Sequence, residues 1–169
     1  MLSVMADLAA PRFEEFGPVL IAGMGQRYND ETSVGIPALW QRFDPHIGHI
    51  PGQLSGKTYG VMWPLKGAEG FEYVCGVEVS DLSAVPAEFS RLTLEKQKYA
   101  VFSHTGPIST IRDTLGQIWN QWLPASAVRI AKRPRLEIYS AAFNDSNPIR
   151  GLAADLKRRT QRQLGHPCR

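Results

Sequence analysis

Glu137 is the side chain through which this sequence could most directly do chemistry. In RLEIYSAAF, residues 135–143, strand alternation sets Leu136 and Ile138 on one face and Glu137 and Tyr139 on the other. A carboxylate between two apolar neighbours either faces solvent or, where the strand lines a pocket, stands as an anion in a low-dielectric wall. In the second setting its attraction to a ligand cation rises from ~1 kcal/mol in water to ~4 kcal/mol at an effective dielectric of about 20. Aromatic residues are the second chemical feature: Trp40, Tyr59, Trp63, Tyr73, Tyr99, Trp119, Trp122 and Tyr139 are spread over the whole chain. Most aromatics at helical spacing are core. Where two halves of a protein meet, however, they can wall a site for a planar or quaternary cation, with cation–π contacts worth up to about 2 kcal/mol when desolvated.

Other constellations carry less. His46 and His49 with Asp44 have metal-ligand residue types, but Pro45, Gly48, Pro51 and Gly52 surround them, so a loop is expected and no metal. Gly23-Met24-Gly25 lacks the third glycine and the following helix of a dinucleotide fingerprint. No Ser stands in a G-x-S-x-G elbow, and His104 alternates with Ser103 to opposite faces of a strand, which argues against a hydrolytic triad. No cofactor is expected.

Two helices and several strands must position these residues. In residues 109–123, Ile111, Leu115, Ile118, Trp119 and Trp122 fall on one helical face, with Ser109 suited to cap the start and Pro124 expected to end it. Residues 35–44 form a shorter version, with Ile36, Leu39, Trp40 and Phe43 on one face, Pro37 in the first turn and Pro45 as the stop. These four match Leu115, Ile118, Trp119 and Trp122 at an offset of 79 each, an internal repeat. Strand-like segments recur beside it: residues 19–28 with 98–107, and 57–63 with 135–141. Residues 71–79 close the first half, with Phe71, Tyr73, Cys75, Val77 and Val79 on one face and Glu72 and Glu78 on the other. The expected fold is α+β: duplicated strand-helix-strand-strand halves, about residues 12–80 and 90–145, with antiparallel sheets and a cleft between them. They form one domain over residues 1–149.

The end of the second half does not read as a strand. Residues 144–148 are turn-like, Leu152 and Leu156 are one helical turn apart, and residues 150–169 are expected to be a basic tail, helical or disordered. This tail holds Arg150, Lys157, Arg158, Arg159, Arg162 and Arg169 against Asp155, a net of +5 where the whole chain is +3, which leaves residues 1–149 at about −2. The body therefore lacks the basic face that phosphate binding needs. The 169 residues with 43% hydrophobic content can bury a core unaided, and Cys75 and Cys168 match no metal or redox spacing. Without a signal peptide or an apolar run near 18 residues, a cytoplasmic protein outside the membrane is expected.

Three stretches carry a family likeness: FEYVCGVEVS (71–80), YAVFSHTGPISTIRDTLGQIWNQWLPAS (99–126) and RPRLEIYSAAF (133–143). In this order they resemble the GyrI-like small-molecule-binding family, also called the AraC-type effector-binding domain, which includes bacterial integron-cassette proteins; the likeness covers about residues 12–145. The resemblance implies a hydrophobic cleft for lipophilic, cationic, drug-like molecules. Glu137 would be the ligand-facing glutamate, with Trp119, Trp122, Tyr99 and Tyr139 as walls and Tyr59 and Tyr73 as further candidates. It implies a binding module for effector sensing or sequestration. Relatives also suggest a hydrolase of cyclopropane-bearing alkylating agents, with Glu137 as its acid or base, or a protein-interaction module that inhibits gyrase. With about 18 residues before the first strand, no DNA-binding segment is expected. A protein partner such as a transcription regulator or topoisomerase fits the resemblance.

Overall fold

A computed structural model describes residues 8–104, 108–126, 128–130, 133–140 and 150–158. Among the described residues there are nine strands: β1 (Arg12–Phe16), β2 (Val19–Tyr28), β3 (Gln53–Pro64), β4 (Phe71–Val79), β5 (Ser90–Leu94), β6 (Gln97–Ser103), β7 (Val128–Ile130), β8 (Arg135–Tyr139) and β9 (Arg150–Arg158). Helix α1 (Ile36–Phe43) lies between β2 and β3, flanked by 3-10 turns at Thr32–Gly35 and Asp44–His46. Helix α2 (Ile111–Gln117) follows β6, passes through a π-helical turn at Ile118–Trp122 and ends in the short α3 (Leu123–Ala125). No helix among the described residues is long and apolar enough to cross a membrane.

The strands run β1-β6-β9-β8-β3-β4-β2-β5, with β7 pairing to β9 alone, and every pairing is antiparallel. The order is a palindrome of the repeat. One half contributes β2, α1, β3 and β4, the other β6, α2, β8 and β9, and the two antiparallel sheets join where β3 pairs with β8. At that seam Tyr59 lies directly opposite Ile138, 79 residues away, so a local two-fold axis passes between them.

Short links bend this sheet. β1 reaches β2 through Gly17 and Pro18, and β5 reaches β6 through Glu95 and Lys96, yet each pair is six places apart in the strand order. Laid flat, six places would measure about 29 Å at 4.8 Å per strand, while a two-residue link spans at most about 11 Å. The sheet must therefore coil until its edges meet. The concave side confirms the curl: Phe16 of β1 comes within 6.2 Å of the rings of both Tyr59 in β3 and Tyr99 in β6. They share one cluster with Val19, Ile21, Val61, Leu94 and Leu136. The helices pack on the convex side, α1 through Leu39 and Phe43 against Tyr73, Cys75 and Val77, and α2 with its π turn through Leu115 and Ile118 against Ala100 and Phe102.

Several expectations are corrected. The segment 150–158, expected as helical or disordered, is strand β9 and closes the second half between β6 and β8; the remainder of the expected tail, 159–169, lies outside the described residues. Leu152 and Leu156, four residues apart, fit a strand's period of two as well as a helical turn, so their spacing alone did not discriminate. Pro124 does not end the helix, because the π turn before it resets the backbone and lets Pro124 sit in the first turn of α3. The expected repeat offsets of 79 for β2 with β6 and 78 for β3 with β8 are each one residue short. Shared faces place Val19 with Tyr99 and Ile21 with Val101, and Tyr59 with Ile138. A one-residue slip exchanges the two faces of a strand.

The coil also explains two glycines in the middle of β2 and β4. Gly23 is paired with Gly76, and a Cβ on Gly23 would overlap the backbone carbonyl of Cys75. No rotamer relieves a clash with backbone, so Gly23→Ala should lower stability by about 2 kcal/mol or more in urea or thermal unfolding. A Cβ on Gly116 in α2 would meet no side chain nearer than Asn120 Nδ2 at 3.9 Å among the described residues, and Gly116→Ala should be neutral or stabilising by up to about 1 kcal/mol in the same measurement.

Candidate functional site

On the convex face of β8 stand Arg135, Glu137 and Tyr139, two residues apart along the seam. The Tyr139 hydroxyl donates to Glu137 Oε2 at 2.7 Å, and the Tyr73 hydroxyl from β4 donates to the same oxygen at 3.0 Å. Trp40 of α1 donates from Nε1 to the Tyr73 oxygen at 3.0 Å and meets the Tyr139 ring edge-on at 5.3 Å. The result is a relay from Trp40 through Tyr73 to the carboxylate. Glu137 Oε1 has no donor among the described residues.

Gly60 makes room for this arrangement. It lies directly opposite Glu137 on β3, and a Cβ there would overlap the Tyr73 hydroxyl and stand 2.8 Å from Glu137 Oε2. The empty position is where tyrosine hydroxyl and carboxylate meet.

Burial pushes the Glu137 carboxyl up from its ordinary value, and the hydrogen bonds from Tyr139 and Tyr73 pull only partly the other way. The residue nevertheless keeps some solvent access. Tyr139 and Tyr73 are both pushed far above the usual phenol range, by burial first and by the Glu137 charge second. They stay protonated as donors.

The opposite wall comes from the second half. Trp119, the repeat partner of Trp40, holds the Arg135 guanidinium over its ring at 4.1 Å. Desolvation pulls the Arg135 pKa below its ordinary value. Trp122 turns elsewhere and packs edge-on against Phe102 at 4.9 Å within the core under α2. The π turn separates the two tryptophans: at about 4.4 residues per turn, side chains three apart diverge by about 115°, against about 60° in an α-helix.

Of the residues expected in a ligand site, the structure gathers Glu137, Tyr139 and Tyr73 into one hydrogen-bonded group and sets Trp119 against Arg135, two residues along β8 from Glu137. Trp122 belongs to the helix-to-sheet packing. Tyr59 and Tyr99 are 2% and 1% exposed on the concave side, separated from Glu137 by the thickness of the sheet, because each has the opposite parity on its strand. Burial, followed by the nearby Glu78 charge, pushes the Tyr59 phenol up to about 12. Trp40 stood among the general aromatic candidates but not among the residues expected around Glu137, and sequence reasoning missed Gly60 and Arg135 altogether. The repeat offset that pairs Trp40 with Trp119 held the signal for Trp40. Gly60 shows its part only once the register is known.

The weaker constellations resolve into packing. His46 meets Phe89 edge-on at 5.1 Å, and among the described residues no three His, Cys, Asp or Glu side chains converge as metal ligands. His104 is buried, with Nδ1 2.6 Å from Thr114 Oγ1 and Nε2 3.3 Å from Thr110 Oγ1. Gly23 and Gly25 lie within β2.

The family model described as the GyrI-like small molecule binding domain matches residues 9–151. The transcriptional regulator BrlR of Pseudomonas aeruginosa is 31% identical over 109 residues, which are 64% of this chain and only 40% of that protein. The structure of SAV2435 bound to tetraphenylphosphonium superposes with a TM-score of 0.74 at 18% identity, covering 88% of this chain and 94% of that one. An integron cassette protein from the mobile metagenome of Vibrio cholerae gives a TM-score of 0.67 at 16% identity, covering 89% and 97%. At such identities the structural likeness concerns the fold. Since the family model spans most of the sequence, from the start of the repeat into its closing strand, the chain belongs to the GyrI-like small molecule binding domain family.

Proposed function

We propose that the chain binds lipophilic cationic small molecules in the cleft over the β3–β8 seam, with Glu137 as counter-ion and Trp40, Trp119 and Tyr139 as walls. One observation carries the reading: Glu137 Oε2 receives two tyrosine hydroxyls while Oε1 has no donor among the described residues. An anion so placed is incompletely satisfied. A cation against Oε1 would complete it, and the aromatic edges would hold the apolar remainder. The tetraphenylphosphonium bound to SAV2435, a protein of the same fold, supports this ligand class. The match to part of a transcriptional regulator supports effector sensing, in which a partner protein reads occupancy of the cleft.

Titration with tetraphenylphosphonium and the neutral triphenylphosphine oxide, followed by melting temperature or calorimetry, tests the counter-ion. Glu137→Gln should weaken the phosphonium by about 1 to 3 kcal/mol, roughly tenfold to a hundredfold in Kd, and leave the neutral compound nearly unchanged. Equal losses for both would end the counter-ion role. Gly60→Ala, which intrudes on the tyrosine–carboxylate contact, should weaken both compounds.

The raised Glu137 pKa gives two pH effects of opposite sign. Ligand cations need the ionised carboxylate, so affinity for tetraphenylphosphonium should fall as pH drops through the raised value. The unliganded protein binds the Glu137 proton more tightly than the unfolded chain does. Ionisation therefore costs stability from the ordinary value near 4.5 upward, and the cost is complete above the raised value. Glu137→Gln should accordingly raise the melting temperature of the ligand-free protein at pH 7, with the gain shrinking toward pH 4. A gain independent of pH would show that the carboxyl's charge is not the cause.

A further inference from the structure

Arg135 is the second charge in the cleft. It shares the convex face of β8 with Glu137, two residues or about 7 Å along the strand. Its guanidinium lies 4.1 Å from the centroid of Trp119, and no ion pair joins it to Glu137 or to any other carboxylate among the described residues. Over the indole the guanidinium makes no ion pair among the described residues, and its planar fork of N–H groups matches a carboxylate. The aromatic face that would otherwise take a ligand's cation is already covered by the protein's own. A simple cation therefore meets attraction at Glu137 and repulsion from Arg135.

Building on the cleft-binding reading above, we infer that Arg135 selects amphoteric ligands: lipophilic cations that also carry a carboxylate or comparable anion. The cation lies against Glu137 Oε1, beside the Trp40–Tyr139 pair, and the anion takes the N–H groups of the Arg135 guanidinium. Across the floor of the cleft the charges run Arg135 positive and Glu137 negative, and the ligand presents the complementary order.

The test uses a matched pair of probes, butyltriphenylphosphonium and carboxybutyl-triphenylphosphonium, which differ by one carboxylate. Calorimetry should give the carboxylated probe about tenfold tighter binding to the unaltered chain. Arg135→Gln should erase that preference by tightening the plain cation and weakening the zwitterion. Arg135→Lys, which keeps the charge and loses the fork, should retain a reduced preference and serves where Arg135→Gln does not fold. Equal affinity of the two probes for the unaltered chain, or a preference unchanged in both variants, would overturn the role of Arg135. Glu137→Gln separates the two readings. If the plain cation binds in a manner that depends on Glu137 while the carboxylate adds nothing, the role of Arg135 alone fails. If neither probe binds the unaltered chain, both fail.

Discussion

A two-residue link cannot cross a flat sheet, and two such links, through Gly17 and Pro18 and through Glu95 and Lys96, join strands near opposite ends of this one. The coil they impose gives each side a different task. The concave side closes on itself and makes a core of Phe16, Tyr59, Val61, Tyr99 and Leu136 without any helix. On the convex side α1 and α2 pack over separate halves, and curvature splays them apart. What lies between is the β3–β8 seam, the place where the duplicated halves meet. In the binding reading the cleft lies over this seam, and side chains on the convex face of β8 form its floor.

The floor holds a carboxylate that the fold does not fully satisfy. A buried anion is tolerated when donors and a counter-charge surround it, and removing water without them is costly. Glu137 has two tyrosine donors on a single oxygen and no basic partner among the described residues. Glu78, by contrast, lies on the opposite face of the sheet and reaches only one phenol, Tyr59, at 3.4 Å. The rigid setting of Glu137 restricts its movement: Gly60 leaves room on one side, and Trp40 fixes the Tyr73 hydroxyl on another. In the proposed role, such preorganisation would stabilise a bound cation without reordering side chains, at the expense of the empty protein.

The sequence made the repeat legible through residues whose period is unambiguous. Phe71, Tyr73, Val77 and Val79 with Glu72 and Glu78 between them mark the two faces of β4, and Ile118, Trp119 and Trp122 have helical spacing, so β4 and the α2 region were readable in type and position. Register was not readable, since a strand's pattern tolerates a slip of one residue that exchanges its faces. That is why Tyr59 and Tyr99, aromatic and well placed along the chain, belong to the concave core while Glu137 and Tyr139 belong to the cleft. The edge strands β1 and β5 carried too little alternation to announce themselves, as RFEEF and SRLTL show. Gly60 and Arg135 acquire meaning only from partners distant in sequence, Tyr73 in one case and Trp119 in the other.

Duplication explains the walls of the site but not its floor. About the two-fold axis Trp40 and Trp119 are equivalents, one on each side of the seam. At the same offset of 79, Glu137 is equivalent to Thr58 and Tyr139 to Gly60, so the carboxylate and the Tyr139 phenol lie in one half, while the Tyr73 phenol and the space at Gly60 lie in the other. A fully symmetric cleft would accept a ligand in either of two orientations related by the axis, with no preference between them. Placing the charge in one half and its room in the other removes that degeneracy. The repeat sets two indoles at matched positions, and the differences between its halves at Thr58, Gly60, Glu137 and Tyr139 give the seam one charged end.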